Sequence, residues 1–398
     1  MRHRPALFII EVVRRPRRQT ASLQLFAGIV CFWIVSLGLV SSSFVALPRR
    51  SVGVGSIFLI GAAAASAVET PIEESVEQPQ SRLRLRQVIA ETLLDDWKIR
   101  DYEAMRDDTA RTSRFEAVIK RRLAGTDGQA TVVDIGTGSF ALLAIMAARA
   151  GAKKVYAIER NHAAAERATE TVLRAGLQDK VTVIEGDSMM VELPERVDVV
   201  VSELIGSIAT QEGVEAIIRD ASRRFLKPQS NADRRPQMIP ERCQTCIAPV
   251  EYRDHDWYQW KRGVQSRGKA EPGSLRPLRL QSDTQDLDFL AEPQLLEDFD
   301  YSAAASAELT QTRTISFDVP ASSAPRKFSG FALWTRVVVD SEDVVEVSGK
   351  KSHWAYVVAL MSEKPIALAA HGGLIKLQSK ADYASLPVRY ELDAELPV

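Results

Sequence analysis

Two glutamates bound one loop near the middle of the chain, in the segment SELIGSIATQEG. Glu203 ends the apolar run ERVDVVVSE, which has the pattern of a buried strand, and Glu212 opens the next predicted helix, Gly213–Phe225. Loops that follow parallel strands form a ligand crevice at the carboxyl edge of the sheet, so we expect both carboxylates to face that crevice. From these residues alone a second interpretation stays open, with Glu212 as an ordinary first-turn acid and Glu203 as a strand-end acceptor.

A glycine-rich turn lies upstream of this loop, in TVVDIGTGSF at Thr131–Phe140. It joins a predicted strand to a predicted helix at Ala141–Ala152. Because Gly136 and Gly138 carry no side chain, backbone N–H groups can approach a ligand there, and the helix N-terminus adds positive potential. We therefore predict that Asp134, Gly136 and Gly138 contact a nucleoside-containing cofactor.

The next two predicted strands end in acids that suit a nucleoside. VYAIE at Val155–Glu159 places Glu159 where a carboxylate can accept both hydroxyls of a ribose, and VTVIEGD places Asp187 where it can accept the adenine amino group. The glycine turn continues with Phe140 instead of completing GxGxxG, and the chain has no GxxxxGK[ST] motif. This combination disfavours NAD and ATP and favours S-adenosylmethionine, which has no phosphates to hold.

The loop between the two glutamates resembles the double-E loop of the protein arginine methyltransferases, and the resemblance covers roughly Asp101 to Tyr390. It implies an enzyme that transfers a methyl group from S-adenosylmethionine to a guanidinium nitrogen of protein arginine. In that role Glu203 and Glu212 are expected to clamp the guanidinium and to localise its charge on the nitrogens they contact. The attacking nitrogen is then richer in electrons, and the protein contributes positioning and electrostatics.

Two further segments carry the resemblance. In DYEAMRDDTARTSRF, the register of Met105, Asp108 and Arg111 matches a segment that lies over the cofactor, with Arg111 expected on the methionyl carboxylate. The tripeptide SHW around His353 is similar to the family's THW loop, whose histidine faces the active site. The resemblance implies that His353 pairs with Asp108 and helps to carry the proton away after transfer.

Departures from the family pattern keep alternatives open. Phe140 stands where the family has a third glycine, and the aromatic YFxxY pattern is absent upstream. Besides an active arginine methyltransferase, the hypotheses are a methyltransferase for another substrate, such as a small amine, and a non-catalytic scaffold derived from the fold. Asp187 and SELIGS resemble the symmetric-dimethylating branch, whereas Glu212-Gly213 resembles the monomethylating one, so the methylation product and the protein substrate stay open.

The amino-acid composition limits the kinds of partner and metal site that the chain is expected to have. Lys and Arg number 51 against 52 Asp and Glu, and this net charge of −1 does not indicate direct nucleic-acid binding. The three cysteines do not make a disulfide framework, and Cys243-x-x-Cys246 lacks the second pair typical of zinc sites. The histidines show no ligand spacing, so we expect no metal site. The expected partner is an arginine-containing protein.

The N-terminal residues 1–70 are predicted to be a targeting or membrane-anchor presequence. They are rich in arginine and contain two apolar runs, Leu25–Val40 and Val52–Ala67, of which the second ends in an A-x-A cleavage pattern. A bipartite presequence of this kind indicates the secretory route or plastid import. The alternative is a membrane anchor at about residues 23–42, through which alone the protein would contact a membrane. Residues 71–100 are predicted to be a linker and a helix, Leu83–Ile99.

The remaining chain predicts two domains. Alternating strands and helices in residues 101–240 predict an α/β domain with a doubly wound, mostly parallel, Rossmann-like methyltransferase sheet. Period-two alternation in residues 241–398 predicts an antiparallel, β-barrel-like domain for the substrate. Residues 254–297 lie where the family inserts a dimerisation arm, here short. A homodimer is compatible with that arm, and the oligomeric state stays open.

Overall fold

A computed structural model describes six segments of the chain: residues 82–89, 98–228, 237–255, 277–302, 308–385 and 387–397. The predicted presequence and the acidic linker after it lie outside these segments. Within them, none of the helices is both long and apolar enough to cross a membrane.

A five-stranded parallel sheet forms the first half of the fold, with strand order β4-β3-β2-β5-β6. Its central strands are short runs of valine and isoleucine that helices cover, and every residue of β2 is buried. The strand order reverses between β2 and β5, which opens a crevice at the carboxyl edge of the sheet. The strands are β2 (Thr131–Ile135), β3 (Lys154–Glu159), β4 (Val181–Glu185), β5 (Val199–Ser202) and β6 (Met238–Ile239). The helices are α1 (Ile99–Asp107), α2 (Thr109–Ala124), α3 (Leu142–Arg149), α4 (His162–Arg174) and α5 (Val214–Arg224).

Antiparallel strands build the second half, as the period-two pattern predicted. A four-stranded sheet has the order β1-β18-β17-β11, and a seven-stranded sheet is built on the order β10-β7-β13-β15-β8, with β14 beside β13 and β9 beside β7. The four predicted runs, at residues 314–319, 331–340, 354–360 and 388–392, fall on β11, β13, β15 and β18. The strands are β1 (Arg82–Ile89), β7 (Arg242–Tyr252), β8 (Leu278–Gln281), β9 (Leu287–Phe289), β10 (Gln294–Asp300), β11 (Thr310–Val319), β12 (Lys327–Phe328), β13 (Gly330–Val338), β14 (Val344–Glu346), β15 (Ala355–Leu360), β16 (Ile366–Ala367), β17 (Gly373–Asp382) and β18 (Arg389–Pro397).

The helix predicted over Leu83–Ile99 is wrong in its first half. Residues 82–89 form β1, which pairs antiparallel with β18 so that Ile89 lies opposite Tyr390. Gln87 and Ile89 are buried, whereas Arg84 and Arg86 are exposed on the other face of the strand. The apolar residues fit a helical spacing as well as a period of two, and pairing with the long strand β18 decides the outcome.

The predicted dimerisation arm needs a similar correction. Of residues 254–297, the part from 277 onward forms β8, β9 and the start of β10, which belong to the seven-stranded sheet. Leu278 is fully buried there. These strands are three to seven residues long and lie in a polar stretch, so alternation did not reveal them. Residues 256–276 lie outside the described part of the chain.

Ion pairs fix the two halves to each other along α2. The Arg121 guanidinium lies 2.7 Å from Asp340 and 2.6 Å from Asp343, both in the turn after β13. Arg122 lies 2.9 Å from Glu241, just before β7. The segment that carries the predicted cofactor arginine is therefore held against the barrel-like half at its other end.

We predict that a chain beginning at Ser81 folds, and that a chain beginning at Lys98, which lacks β1, is less stable. Removing β1 uncovers β18 and loses the burial of Ile89, which alone stabilises by about 1.5–3 kcal/mol. Urea unfolding of the two chains measures the difference. Equal stability of both, or a requirement for detergent by the longer chain, would contradict the role given to β1.

Candidate active site

A cavity of about 740 Å³ opens at the carboxyl edge of the parallel sheet. Its volume lies within the ordinary range for small-molecule sites, which is about 300–1,000 Å³. The end of α1, the glycine turn, the loop after β5 and the start of β15 form its walls. Among the predicted site residues, those that line it are Met105, Arg111, Asp134, Gly136, Gly138, Glu159, Asp187, Glu203, Glu212 and His353, while Asp108 lies behind His353.

The glycine turn has the conformation that its sequence requires. Gly136 and Gly138 have φ values of 75° and 65°, which side chains disfavour, and a Cβ on Gly136 would lie 2.5 Å from Leu204. The Glu159 carboxylate accepts the Gly138 N–H at 2.9 Å and the Asn161 N–H at 2.8 Å. The acid therefore holds the turn in place, and each of its oxygens keeps a lone pair for a ligand hydroxyl.

Asp134 is the most deeply buried acid of the turn, with 1% exposure. One carboxylate oxygen accepts the Thr137 hydroxyl at 2.6 Å and the Ala144 N–H at 3.0 Å. Among the described residues the other oxygen, Oδ1, has no partner. Burial raises the pKa of Asp134 to about 6, against the hydrogen bonds that lower it. A buried acceptor without a donor, beside a cavity and a tight glycine turn, fits the polar end of an S-adenosylmethionine molecule.

Arg111 and Glu203 form a buried ion pair. The arginine Nε donates to Glu203 Oε2 at 3.0 Å, its Nη2 lies 2.5 Å from the same oxygen, and both side chains are at most 6% exposed. A further nitrogen donates to the Met105 carbonyl at 3.3 Å, and the second Glu203 oxygen accepts the Ile205 N–H at 3.1 Å. The residue predicted for the cofactor and the residue predicted for catalysis are thus in direct contact, across 92 positions of sequence. Spacing along the chain contained no signal of this contact.

His353 and Asp108 also meet. The His353 ring Nδ1 lies 2.9 Å from Asp108 Oδ2, which accepts the His353 backbone N–H at 3.1 Å and the Ser352 hydroxyl at 2.7 Å. Burial alone would raise the pKa of Asp108, but these hydrogen bonds outweigh it and hold the pKa well below its usual range. Trp354 contacts the His353 ring, with centroids 4.2 Å apart, and donates from its indole to the Ile205 carbonyl at 2.7 Å.

Glu212 lies in a turn and not in the helix that it was expected to open. Gly213, with φ of 77°, caps α5, which begins at Val214. The left-handed glycine ends the turn, and Glu212 and Glu203 both line the cavity. Glu212 therefore lies two residues before the first residue of α5.

Comparison with known proteins agrees with this geometry. Residues 85–231 match the family model described as PRMT5 arginine-N-methyltransferase. A probable protein arginine N-methyltransferase 6 of Arabidopsis thaliana is 35% identical over 153 residues, 38% of this chain and 33% of that protein's length. Protein arginine N-methyltransferase PRMT10 of the same plant is 26% identical over 305 residues, 67% of this chain and 76% of that protein. All of these matches are to protein arginine methyltransferases, which this chain resembles over residues 85–231.

Solved structures show the same fold. The crystal structure of Arabidopsis thaliana protein arginine methyltransferase 10, described as uniquely open, has a TM-score of 0.56 at 24% identity and covers 74% of this chain and 91% of that one. The Trypanosoma brucei PRMT1 enzyme–prozyme heterotetrameric complex with AdoHcy has a TM-score of 0.59 at 20% identity and covers 70% and 87%. A parallel sheet followed by an antiparallel half is the shared architecture of these arginine methyltransferases and this chain.

Two aromatic residues line the cavity: Phe140 of the glycine turn, and Tyr102, which the sequence analysis did not single out. Tyr102 packs on the glycine turn, where a Cβ added to Gly138 would lie 3.1 Å from its ring, and burial raises the pKa of Tyr102 to about 12. Phe140 lines the cavity, and the Arg106 guanidinium lies 4.7 Å above its ring centroid. Phe140 therefore leaves the cavity open, and it contacts α1 at the edge of the site.

Asp187 and the cysteine pair are the two remaining predicted features. Asp187 is exposed at the far end of the cavity, where its carboxylate accepts the Met189 N–H at 2.9 Å. Cys243 and Cys246 are buried in β7, and burial raises the pKa of both thiols, that of Cys246 to about 12. In the described segments, no group of three His, Cys, Asp or Glu side chains is placed to hold a metal ion.

We predict that Arg111→Ala destabilises the fold by about 3–5 kcal/mol, because it leaves the buried Glu203 charge without its partner. Urea unfolding measures the loss. Lys120→Ala is the matched control, since Lys120 is an exposed cation on the same helix and forms an ion pair with Glu116 at the surface. If both variants unfolded at the same urea concentration, the Arg111–Glu203 pair would not have the structural role that its burial implies.

Proposed function

We propose that this protein transfers a methyl group from S-adenosylmethionine to a guanidinium nitrogen of arginine in a protein substrate. One observation carries the proposal: Glu203 and Glu212 line the same cavity as the cofactor residues, and Glu203 is bonded to the arginine expected on the cofactor. The donor site and the acceptor site are thus adjacent. S-adenosylmethionine, when bound, supplies an activated methyl group on a sulfonium.

The chain's own residues hold both reactants. Asp134, Glu159 and the glycine turn bind the nucleoside and amino-acid parts of the cofactor, and Arg111 is the candidate for its carboxylate. Arginine is protonated at neutral pH, since its pKa is about 13.8. Glu203 and Glu212 bind this cation and draw its charge to the nitrogens they contact, so that the free nitrogen attacks. The ion pair with Arg111 sets the orientation of Glu203 before the substrate arrives.

His353 is placed to receive the proton after transfer. Its ring is oriented by Asp108 through Nδ1, which leaves Nε2 for the cavity that His353 lines. A histidine held in this way can accept a proton at the second nitrogen, and the ionised Asp108 stabilises the imidazolium that results.

For the partners, we propose an arginine-containing protein as the substrate and leave self-association as a homodimer to a direct measurement of mass in solution.

For residues 1–70, we propose a presequence for the secretory route or for plastid import, with a membrane anchor at about residues 23–42 as the alternative. The arginine-rich start, the two apolar runs and the A-x-A pattern support this proposal. A fluorescent fusion of residues 1–81, followed by determination of its mature N-terminus, tests it.

We predict that Glu203→Gln and Glu212→Gln each lower turnover on an arginine peptide by about ten- to a thousandfold, because each removes one preorganised charge. Tandem mass spectrometry of the peptide measures the product and its rate. Glu215→Gln is the matched control, since Glu215 is a buried acid of the neighbouring helix that pairs with Arg219. Parent-like rates in both active-site variants, or a preference for lysine peptides or small amines, would contradict arginine as the acceptor.

A further inference from the structure

A buried acid of the barrel-like half, Glu297, has no place in the mechanism above. Its side chain is 2% exposed, and among the described residues it forms no ion pair. Burial of a carboxylate without a cation is costly, so its surroundings must supply hydrogen-bond donors. It is also not among the residues that line the cavity described above.

Three hydroxyls supply those donors. The Glu297 carboxylate accepts the hydroxyls of Thr245 at 2.5 Å, Thr210 at 2.7 Å and Tyr383 at 3.0 Å. Since the single Thr210 proton points to Glu297, Tyr390 is the donor in its 2.6 Å contact with the Thr210 oxygen. Three hydroxyls therefore lie within hydrogen-bond distance of one carboxylate, and a fourth, that of Tyr390, contacts Thr210.

The strand geometry aims Glu297 at this position. β10 pairs with β7 in a register that shifts between Leu295 and Glu297, so that Glu297 lies opposite Thr245. A bulge of this kind inserts one extra residue and turns the following side chain. Without the bulge, alternation along the strand would send Glu297 to the other face.

Two of the contacts reach the loop between the catalytic glutamates. Thr210 belongs to that loop, and Thr245 accepts the N–H of its neighbour Ala209 at 3.0 Å. The Thr210 carbonyl accepts the Gly213 N–H at 3.0 Å, which closes the turn that contains Glu212. A continuous path of hydrogen bonds thus joins Glu297 to the backbone on both sides of Glu212.

We propose that Glu297 is a positioning residue of the active site, which anchors the Glu212 turn from inside the barrel-like half and so sets the separation of Glu212 from Glu203. The inference rests on the proposed function, because it assigns to Glu297 the geometry of the two carboxylates that bind the guanidinium. It adds a residue from the second half of the chain to a site that the first half mainly forms.

The first test compares variants that break the path at different points. Glu297→Gln and Thr210→Val should lower turnover on an arginine peptide by about ten- to a hundredfold, as misplacement of a catalytic group does, with unchanged cofactor affinity. Thr210→Ser keeps the hydroxyl and should retain turnover. Tyr383→Phe removes a hydroxyl from the same carboxylate without touching the loop, and it is the matched control with parent-like turnover. Thr210→Val reaches the same bond from the loop side if Glu297→Gln does not fold.

The second test asks whether Glu297 acts through Glu212. In a double-mutant cycle, the product of the fold losses of turnover in Glu297→Gln and Glu212→Gln should exceed the fold loss in the double variant. The reason is that removing the Glu212 charge lowers turnover less when the carboxylate is already misplaced. Hydrogen exchange of residues 208–213 should rise in Glu297→Gln and stay at the parent rate in Tyr383→Phe. Full multiplicativity together with unchanged exchange would overturn the proposal. If the parent protein methylates no arginine peptide, the proposed function fails, and hydrogen exchange still decides the positioning role.

Discussion

A buried contact between two opposite charges, Arg111 and Glu203, holds the active site together. Each side chain would be costly to bury alone, so the pair requires that α2 and the end of β5 remain in register. Since Arg111 is the candidate for the cofactor carboxylate and Glu203 for the guanidinium, one contact sets the distance between the donor and the acceptor. This arrangement suits an in-line methyl transfer, in which the protein contributes mainly position and electrostatic field.

The antiparallel half supplies the outer supports of this contact. Trp354 and Ser352 follow β14 and hold the loop after Glu203 and the acid Asp108, respectively. Arg279 donates to Ser207 in the middle of the same loop at 2.8 Å. The loop with the two glutamates follows a strand of the parallel sheet, yet Ile205, Ser207, Ala209 and Thr210 all form hydrogen bonds with the barrel-like half.

Sequence reasoning anticipated the parts of the molecule that depend on local pattern. Strand–turn–helix units, the glycine turn and the long alternating strands follow from spacing and backbone preference, and the structure confirms them. β1 was predicted as a helix because its apolar residues fit both a helical period and a period of two, and only pairing with β18 decides between them. β8 and β9 were not predicted, because strands this short in a polar stretch show little alternation of apolar and polar residues.

Most residues of the site could likewise be predicted from local pattern and resemblance, but most of their contacts could not. The sequence pattern placed Glu203 and Glu212 at the crevice, and the family resemblance supplied their role, that of Arg111 and the Asp108–His353 pair. It contained no signal that Arg111 contacts Glu203, since that pairing depends on how α2 packs against the sheet. The burial of Glu297 could not be predicted for a related reason. A bulge in β10 turns its side chain inward, against the alternation expected along the strand.

Calorimetric titration with S-adenosylhomocysteine and with an analogue that lacks the amino-acid carboxylate tests the account most directly. If Arg111 joins the cofactor carboxylate to Glu203, the intact ligand binds and the analogue binds at least roughly tenfold more weakly, because a buried partner is left unpaired. Equal affinities for the two ligands, or no binding of either, would contradict the account.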